Sequence, residues 1–501
     1  MSYKSQLNKI PQIILALFSL YALFWISFMI YVWINHLNFP LNLEAMELTV
    51  LQHLKRVLAG QPIYVSPSSD FVPLAYNPLY YYLTIPFASI FGENLFTLRI
   101  VAILGMLCSG IMIYLTVKNH TNSHWWSIIS VGLFASAYRA MDTYLDNAHS
   151  DSWLLFSILL GCYLIDKNRS RYISILGLLF LVLSFWFKQH GAIFTIGGVL
   201  FLTWRDGWKS SFLYWVLAIM LGPVLYLLAP SIGFGPEFHF YTYQLPKNWI
   251  EFNVGTFRRY LGYIVKSYFL LSIIGVFTSI HILAKGKNKT NIWLFMMPFA
   301  LLSGFLGALD PGSNNNVFIL MGVWFIISGI IGLFMLTKHF DVIRKRGLYL
   351  AVIGASFSLL FFNPSSVVVS SNAHATYRDM IIFLNSLDGP VYAPWLGQLQ
   401  NGYSFYPAVH WVPMEDLIRG KGEDEYNHPI TRKLLEPVIY PKRKAYILMN
   451  YPLENDPLLS FLLNEYKLEL DLGNRFADLT TLPKRYDLAY PRYIYSYNPA
   501  N

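Results

Sequence analysis

Apolar residues form long runs along the chain, and short polar segments separate them. A helix that crosses a bilayer needs about 20 apolar residues, and several of the runs approach that length. The pattern predicts about eleven spans, at 12–33, 94–117, 125–142, 152–166, 172–187, 190–204, 211–231, 261–283, 291–309, 316–337 and 347–363. We therefore expect an α-helical polytopic membrane protein.

Composition and charge agree with a membrane protein and give it an orientation. The 501 residues are 55% hydrophobic and 13% charged, whereas soluble domains carry about 25% charge. The net charge of +9 is concentrated in short loops such as "KNHTNSH" and "RDGWK", which the positive-inside rule assigns to the cytoplasm together with the N-terminus. No basic patch is interleaved with exposed aromatics, so we expect no nucleic-acid partner. This distribution of apolar runs and basic loops is typical of a protein of a bacterial inner or plasma membrane.

The last part of the chain differs from the rest. Residues 364–501 are polar, and strand-like pieces such as "KLELDLG" alternate with helix-like ones such as "DPLLSFLLNEY". We predict a mixed α/β domain in this region, outside the membrane. Residues 1–363 form the predicted membrane domain.

The first long loop, at 34–93, carries two neighbouring carboxylates. Its stretch "NLEAMELTVLQHLKRVLAG" has helical spacing and predicts an amphipathic helix at the membrane surface. Glu44 and Glu47 lie one turn apart and can face the same way; they are either a solvated helix face or a functional pair. Tyr76 and Tyr80 follow in a Pro-rich stretch and suit a membrane–water interface.

A second polar loop on the same predicted side reads "TYLDNAHSDSW". Asp151 precedes an apolar run, where a carboxylate caps a helix well. Asp146, His149 and Asp151 also have the chemistry of ligands for a hard or borderline cation. The cluster is too small to specify a metal, so a divalent cation stays open, with Asp151 and His149 as its candidate ligands.

Basic residues and amides complete the candidate chemistry. Lys188 lies where two apolar runs nearly merge, and a charge at that depth needs water or a partner such as a lipid phosphate. Arg258 and Arg259, at the start of the eighth predicted span, suit a phosphate as well. The stretch "DPGSNNNVF" contributes amides, including Asn316, at the start of the tenth span, or is a plain turn.

The order of these motifs resembles the GT-C superfamily of polytopic glycosyltransferases, which includes protein O-mannosyltransferases and aminoarabinose transferases. The resemblance covers about residues 12–363. Its elements are "LEAMEL", "AGQPIY", "YNPLYYYL", Arg99 in "FTLRI", "DNAHSDSWLLF", "FKQHGAIF" and "DPGSNNNVF".

The resemblance implies an inverting transfer of a sugar from a polyprenyl-phosphate donor to an acceptor hydroxyl on the extracytoplasmic side. By position Glu47 is the first choice and Glu44 the second for the catalytic base. Asp151 matches a second acidic residue of the family and is the third candidate catalytic residue, one that orients the acceptor or holds the geometry of Glu47 rather than binding a metal. Lys188 resembles a residue that binds the donor phosphate. The acceptor is a lipid, a glycan or a protein. Other candidate substrate-binding residues are Tyr76, Tyr80, Asp146, His149, Arg258, Arg259 and Asn316.

A transporter or flippase of lipid-linked glycans is the alternative, since intramembrane charges also occur in transporters. Transporters of that kind usually contain repeated halves and polar groups near the bilayer midplane. The sequence shows no convincing internal repeat, and its unusual polar residues cluster on one predicted side. These features favour the transferase.

Overall fold

The computed structural model describes residues 10–167, 170–286, 291–338, 340–419, 428–480, 482 and 490–499. Residues 1–9, which the sequence predicts to lie in the cytoplasm, are outside this set. Helices dominate up to residue 359, and a small sheet follows.

Every predicted apolar run coincides with a helix or a helical run in the structure. The principal helices of the first part are α1 Ile10–Leu37, α2 Glu47–Leu58, α3 Leu79–Phe91, α4 Leu95–Thr121, α5 His124–Ser136, α6 Asp151–Lys167, α7 Arg171–Phe187, α8 Gly191–Asp206, α9 Trp208–Ile219, α10 Val254–Ala284, α11 Met297–Ala308, α12 Ile319–Thr337 and α13 Val342–Tyr349. Shorter helical turns extend α9 to Ile232 and α13 to Leu359. The helix predicted in the first loop is α2, and most of its residues up to Leu54 are buried inside the protein.

Among the described residues, five helical runs are long and apolar enough to cross a membrane. They are Ile10–Leu37, Leu95–Thr121, Trp208–Ile232, Val254–Ala284 and Asn315–Thr337. Three shorter apolar helices accompany them, at Leu79–Phe91, Arg171–Phe187 and Ile292–Ala308. The chain is therefore a multi-pass integral membrane protein, but the predicted count of eleven spans is not confirmed.

Helix α12 forms the centre of the helical bundle. In its most apolar window 89% of the residues are buried inside the protein, against 22–50% in the other four long helical runs. A helix that is apolar all round either meets lipid or is enclosed by other helices. Here α12 is enclosed, and α10 packs along it.

Small residues allow the short helices α6 and α7 to pack closely. A Cβ atom on Gly161 would lie 2.7 Å from the carbonyl oxygen of Gly177, and a Cβ atom on Gly177 would lie equally close to that of Gly161. Such mutual glycine contacts are typical of helix packing in membranes, where close van der Waals contact holds helices together. The pair positions the start of α6 beside the end of α7.

The C-terminal region contains helices α14 Ala373–Asn385 and α15 Trp411–Ile418 and a four-stranded sheet. The strands are β1 Val391–Tyr392, β2 Ala445–Met449, β3 Lys467–Asp471 and β4 Tyr493–Tyr497, in the order β1-β2-β4-β3. Strand β1 runs parallel to β2, and the other two pairings are antiparallel. The stretch "KLELDLG" contains β3, as its alternation indicates.

Backbone hydrogen bonds attach the C-terminal region to the first long loop. The Ala408 amide donates to the Ser69 carbonyl over 2.9 Å, and the Leu482 amide donates to the Leu43 carbonyl over 2.9 Å. The Ser69 hydroxyl donates to the Leu434 carbonyl over 2.7 Å. These contacts attach the C-terminal region to the first loop on both sides of α2.

Candidate functional site

A cavity of about 330 Å³ lies where the loops of the helical part meet the C-terminal region. Both parts of the chain contribute to its walls. Its polar lining residues are Glu44, Tyr76, Tyr144, Lys188, Gln189, His190, Asp310, Ser313, Asn314, Asn316, Asp416 and Arg419. Four of the predicted site residues are among them: Glu44, Tyr76, Lys188 and Asn316.

Glu44 is the carboxylate of the first loop that lines this cavity. The Tyr144 hydroxyl donates to its Oε2 over 3.3 Å, and its Oε1 forms no hydrogen bond within the described part of the chain. Burial, reinforced by the negative charge of Glu47, raises the pKa of Glu44 to about 8. The Glu44 carboxyl therefore has a pKa far closer to neutral pH than an ordinary glutamate has.

Lys188 contributes a positive charge to the same cavity. It lies in extended backbone between α7 and α8, where the helical hydrogen bonding is interrupted. Its Nζ donates to Asp151 Oδ1 over 2.8 Å and lies 5.3 Å from the centre of the Tyr76 ring. Only 5% of Lys188 is exposed, so the Asp151 carboxylate offsets the cost of burying the charge.

Asp151 acts as the centre of a small polar cluster behind Lys188. Its Oδ2 accepts a hydrogen bond from Asn316 Nδ2 over 3.0 Å and lies 2.6 Å from His149 Nδ1. Burial lowers the pKa of His149, although the nearby Asp151 charge opposes this effect. The helix α6 begins at Asp151, so the residue starts the helix and also holds Lys188 in place.

Glu47 occupies a different environment. Both of its oxygens accept hydrogen bonds from the Arg99 guanidinium, over 3.0 Å and 2.6 Å. The backbone amides of Ala148 and Leu43 donate to it as well. Arg99 also donates to three carbonyls between His36 and Leu41. This fully buried pair ties the first loop to α4 and does not line the cavity.

Asp146 also lies away from the cavity. Its Oδ2 is 2.6 Å from His36 Nδ1, and its Oδ1 accepts from the Tyr138 hydroxyl over 2.6 Å. His36 Nε2 lies 2.7 Å from the Val367 carbonyl oxygen. The cluster links the end of α1 to the second polar loop and to the start of the C-terminal region.

Three other predicted site residues are also absent from the cavity lining. Arg258 is exposed. Arg259 donates to the backbone of Asp310, Ser313 and Asn314 and so holds the turn that forms one cavity wall. The Tyr80 hydroxyl donates to the Leu98 carbonyl over 2.7 Å.

The structure brings in residues that the sequence did not single out. Arg419 at the end of α15 pairs with Asp310 over 2.8 Å, and its guanidinium stacks 4.6 Å from the centre of the Trp249 ring. The Trp249 indole donates to the Asp416 carbonyl over 3.0 Å. These residues are far apart in the chain, so only the docking of the C-terminal region joins them. The run "WVPMEDLIRG" gave no signal for a site.

Within the described residues, no group of three or more His, Cys, Asp or Glu side chains is arranged to hold a metal ion. The two candidate ligands, Asp151 and His149, lie side by side, but the Asp151 oxygens already contact Lys188, Asn316 and His149. Few oxygen or nitrogen lone pairs of Asp151 and His149 therefore remain available to bind a cation.

Comparison with known proteins supports the predicted resemblance. Residues 73–232 match the family described as dolichyl-phosphate-mannose-protein mannosyltransferase. No curated protein sequence matches the chain.

Two solved structures share the fold. ArnT from Cupriavidus metallidurans in the apo state superposes with a TM-score of 0.54 at 10% identity, covering 95% of this chain and 97% of that one. The same protein bound to undecaprenyl phosphate gives a TM-score of 0.51 at 11% identity, with the same coverage. The chain therefore has the fold of a GT-C type membrane protein, and the predicted resemblance is confirmed at that level.

Proposed function

We propose that this protein is a membrane glycosyltransferase that moves a sugar from a polyprenyl-phosphate donor to an acceptor hydroxyl on the extracytoplasmic side. The observation that carries the proposal is the shared cavity of Glu44 and Lys188. A proton acceptor and a cation, both buried, line one space where the helical part meets the C-terminal region.

Glu44 replaces Glu47 as the first choice for the catalytic base. A general base must reach the proton that it removes, and its pKa works best near the operating pH. Glu44 lines the cavity with a pKa of about 8. The oxygens of Glu47 are engaged by Arg99 and two backbone amides, which suits a structural role.

The proposed reaction forms one bond and breaks one bond at the anomeric carbon. The acceptor oxygen attacks that carbon from the face opposite the phosphate, and Glu44 takes the hydroxyl proton. The bond between the anomeric carbon and the phosphate oxygen breaks, and the polyprenyl phosphate leaves with its electron pair. The configuration inverts because the attack and the departure are on opposite faces.

Lys188 stabilises the leaving phosphate in this scheme. A phosphate leaves readily, and it needs compensation of its charge more than a proton. Asp151 holds the ammonium group in position. Asn316, which binds Asp151, fixes that carboxylate in turn.

The comparisons support a polyprenyl-phosphate donor for this chain. The matching family is described by a dolichyl phosphate mannose donor, and one similar structure carries undecaprenyl phosphate. Both are long polyprenyl phosphates, and a lipid donor explains a site built on membrane helices. We infer the same donor class for this chain, with residues 364–501 as an extracytoplasmic domain beside the cavity.

The experiment measures sugar transfer in membranes that contain the full-length protein and a polyprenyl-phosphate sugar. We expect Glu44→Gln to reduce the rate by roughly 10²- to 10⁴-fold, the usual contribution of a general base. We expect Lys188→Gln to reduce it as well, because the leaving phosphate loses its counter-charge. Glu465→Gln, at an exposed glutamate, is the matched control and should transfer at the normal rate.

Two results would contradict the proposal. The absence of transfer by the wild-type protein from any polyprenyl-phosphate sugar would remove the function itself. Normal transfer by the Glu44→Gln variant would be consistent with the proposed function but would contradict the assignment of Glu44 as the base.

A further inference from the structure

A second cleft, of about 770 Å³, shares no lining residue with the Glu44 cavity. It lies between the C-terminal region and α2. One wall is the turn after α14, a second is the loop 398–404, and Lys55 of α2 and Arg443 before β2 complete it. We call it the polar cleft.

The loop 398–404 is held in place by hydrogen bonds to the helical part of the protein. Gln400 Oε1 accepts from the Leu95 amide over 3.2 Å, and Gln400 Nε2 donates to the Pro40 carbonyl over 3.2 Å. Gln398 Oε1 accepts from the Phe405 amide over 3.0 Å. Gly402 adopts a φ of +91°, which glycine tolerates best. The cleft is therefore preformed and anchored beside the first loop.

The uncharged side chains of the polar cleft suit a ligand rich in hydroxyl groups. Asn385, Asn401 and Ser404 are exposed in it, and Tyr403 is half-buried. Amides and hydroxyls offer donors and acceptors together, as the alternating hydroxyls of a sugar require. The Tyr403 ring adds an apolar face with a polar tip. This is the chemistry of a saccharide site.

Two cations give the polar cleft a preference for negative charge. In the part of the chain that is described, neither Lys55 nor Arg443 takes part in an ion pair with a carboxylate. Asp388, the acid in the lining, accepts from the Tyr446 hydroxyl and lies 3.4 Å from Lys444 Nζ. Its charge is thus compensated locally. Guanidinium and ammonium groups bind carboxylates and phosphates strongly.

We propose that the polar cleft binds an anionic saccharide, which is the class of acceptor that the transferase uses. This assignment of the acceptor rests on the function proposed above. The cleft and the Glu44 cavity lie along one segment of the chain, because Met46, directly before α2, lines the cavity and Lys55 of α2 lines the cleft. The two positions are about 13 Å apart along a helix axis. A glycan bound at Lys55 would therefore need only a few sugar units to reach the Glu44 cavity.

Direct binding is the first test, using the full-length protein in detergent. The probes are a galacturonic acid hexamer, glucose 6-phosphate and neutral maltohexaose, measured by titration calorimetry. We expect one anionic probe to bind more tightly than maltohexaose, and the Lys55→Gln/Arg443→Gln variant to weaken it roughly tenfold. Lys442→Gln, at an exposed lysine outside the cleft, should bind as the wild type does.

The carboxylate and phosphate probes distinguish the two sources of negative charge. No binding of either anionic probe at millimolar concentration, or equal binding by the double variant, would overturn the proposal.

The transfer reaction is the second test and separates this proposal from the proposed function. If the cleft holds the acceptor, the double variant raises the acceptor KM in membranes and leaves kcat and the donor KM unchanged. Absence of transfer by the wild-type protein would remove the proposed function, and the binding measurement would still decide whether the cleft takes a saccharide. Wild-type transfer with an unchanged acceptor KM in the variant would remove the cleft as the acceptor site.

Discussion

Glu44 and Glu47 lie three residues apart in the chain, and the structure gives them opposite environments. Glu47 is held by Arg99 and two backbone amides in a fully buried cluster that joins the first loop to α4. Glu44 faces a cavity, has one oxygen without a hydrogen bond in the described residues, and has its pKa raised to about 8. The two environments differ in how far the carboxylate charge is compensated, which is fully for Glu47 and only in part for Glu44.

Among the substitutions that test this difference between Glu44 and Glu47, Glu47→Gln should have the largest effect on stability. It leaves the buried Arg99 charge without its partner. Removing one member of a buried ion pair costs about 3–5 kcal/mol of stability. We expect a clear loss in the free energy of unfolding, measured by thermal unfolding in detergent. The double variant Glu47→Gln/Arg99→Met should recover part of the loss, because the unpaired charge is then absent. A Glu47→Gln protein as stable as the wild type would contradict the structural role.

The second prediction concerns pH and uses the raised pKa of Glu44. A base must be deprotonated, so kcat/KM should rise with pH up to about 8 and then level off. The folded carboxyl keeps its proton between the ordinary pKa of 4.5 and about 8, whereas the unfolded one loses it. Stability therefore falls as pH rises through that window.

Glu44→Gln removes this dependence, because glutamine does not titrate in that range. We expect the variant to be more stable than the wild type at pH 8, by an amount on the order of a few kcal/mol, and equally stable near pH 4. Thermal unfolding of both proteins across this range is the measurement. Parallel stability curves for the two proteins would show that Glu44 titrates normally.

The smallest expected effect comes from Tyr144→Phe, which removes the one side-chain hydrogen bond to Glu44 Oε2. That bond stabilises the carboxylate and lowers the pKa of Glu44. Its loss, worth about 0.5–1.5 kcal/mol, should move the rise of kcat/KM to higher pH by up to roughly one unit. The pH profile of transfer measures this shift, and an unchanged or acid-shifted profile would contradict the assignment of Glu44 as the base.

The sequence determined the fold to a useful extent because long apolar runs have few solutions in a bilayer. Every predicted apolar run coincides with a helical run, and "KLELDLG" became β3. The hydrophobic pattern alone does not determine how many of these runs cross the membrane. Helices such as α5 are shorter than a bilayer requires, and α12 is apolar but enclosed.

The amino-acid sequence alone established which chemical groups are present, and it pointed to Glu44, Tyr76, Lys188 and Asn316. Tertiary structure decided which groups face one cavity. Arg99 comes from a different helix than Glu47, so their ion pair cannot be read from local spacing. Arg419 reaches Asp310 only because the C-terminal region docks on the helical part. Charge compensation depends on distances in space, and the sequence gives only distances along the chain.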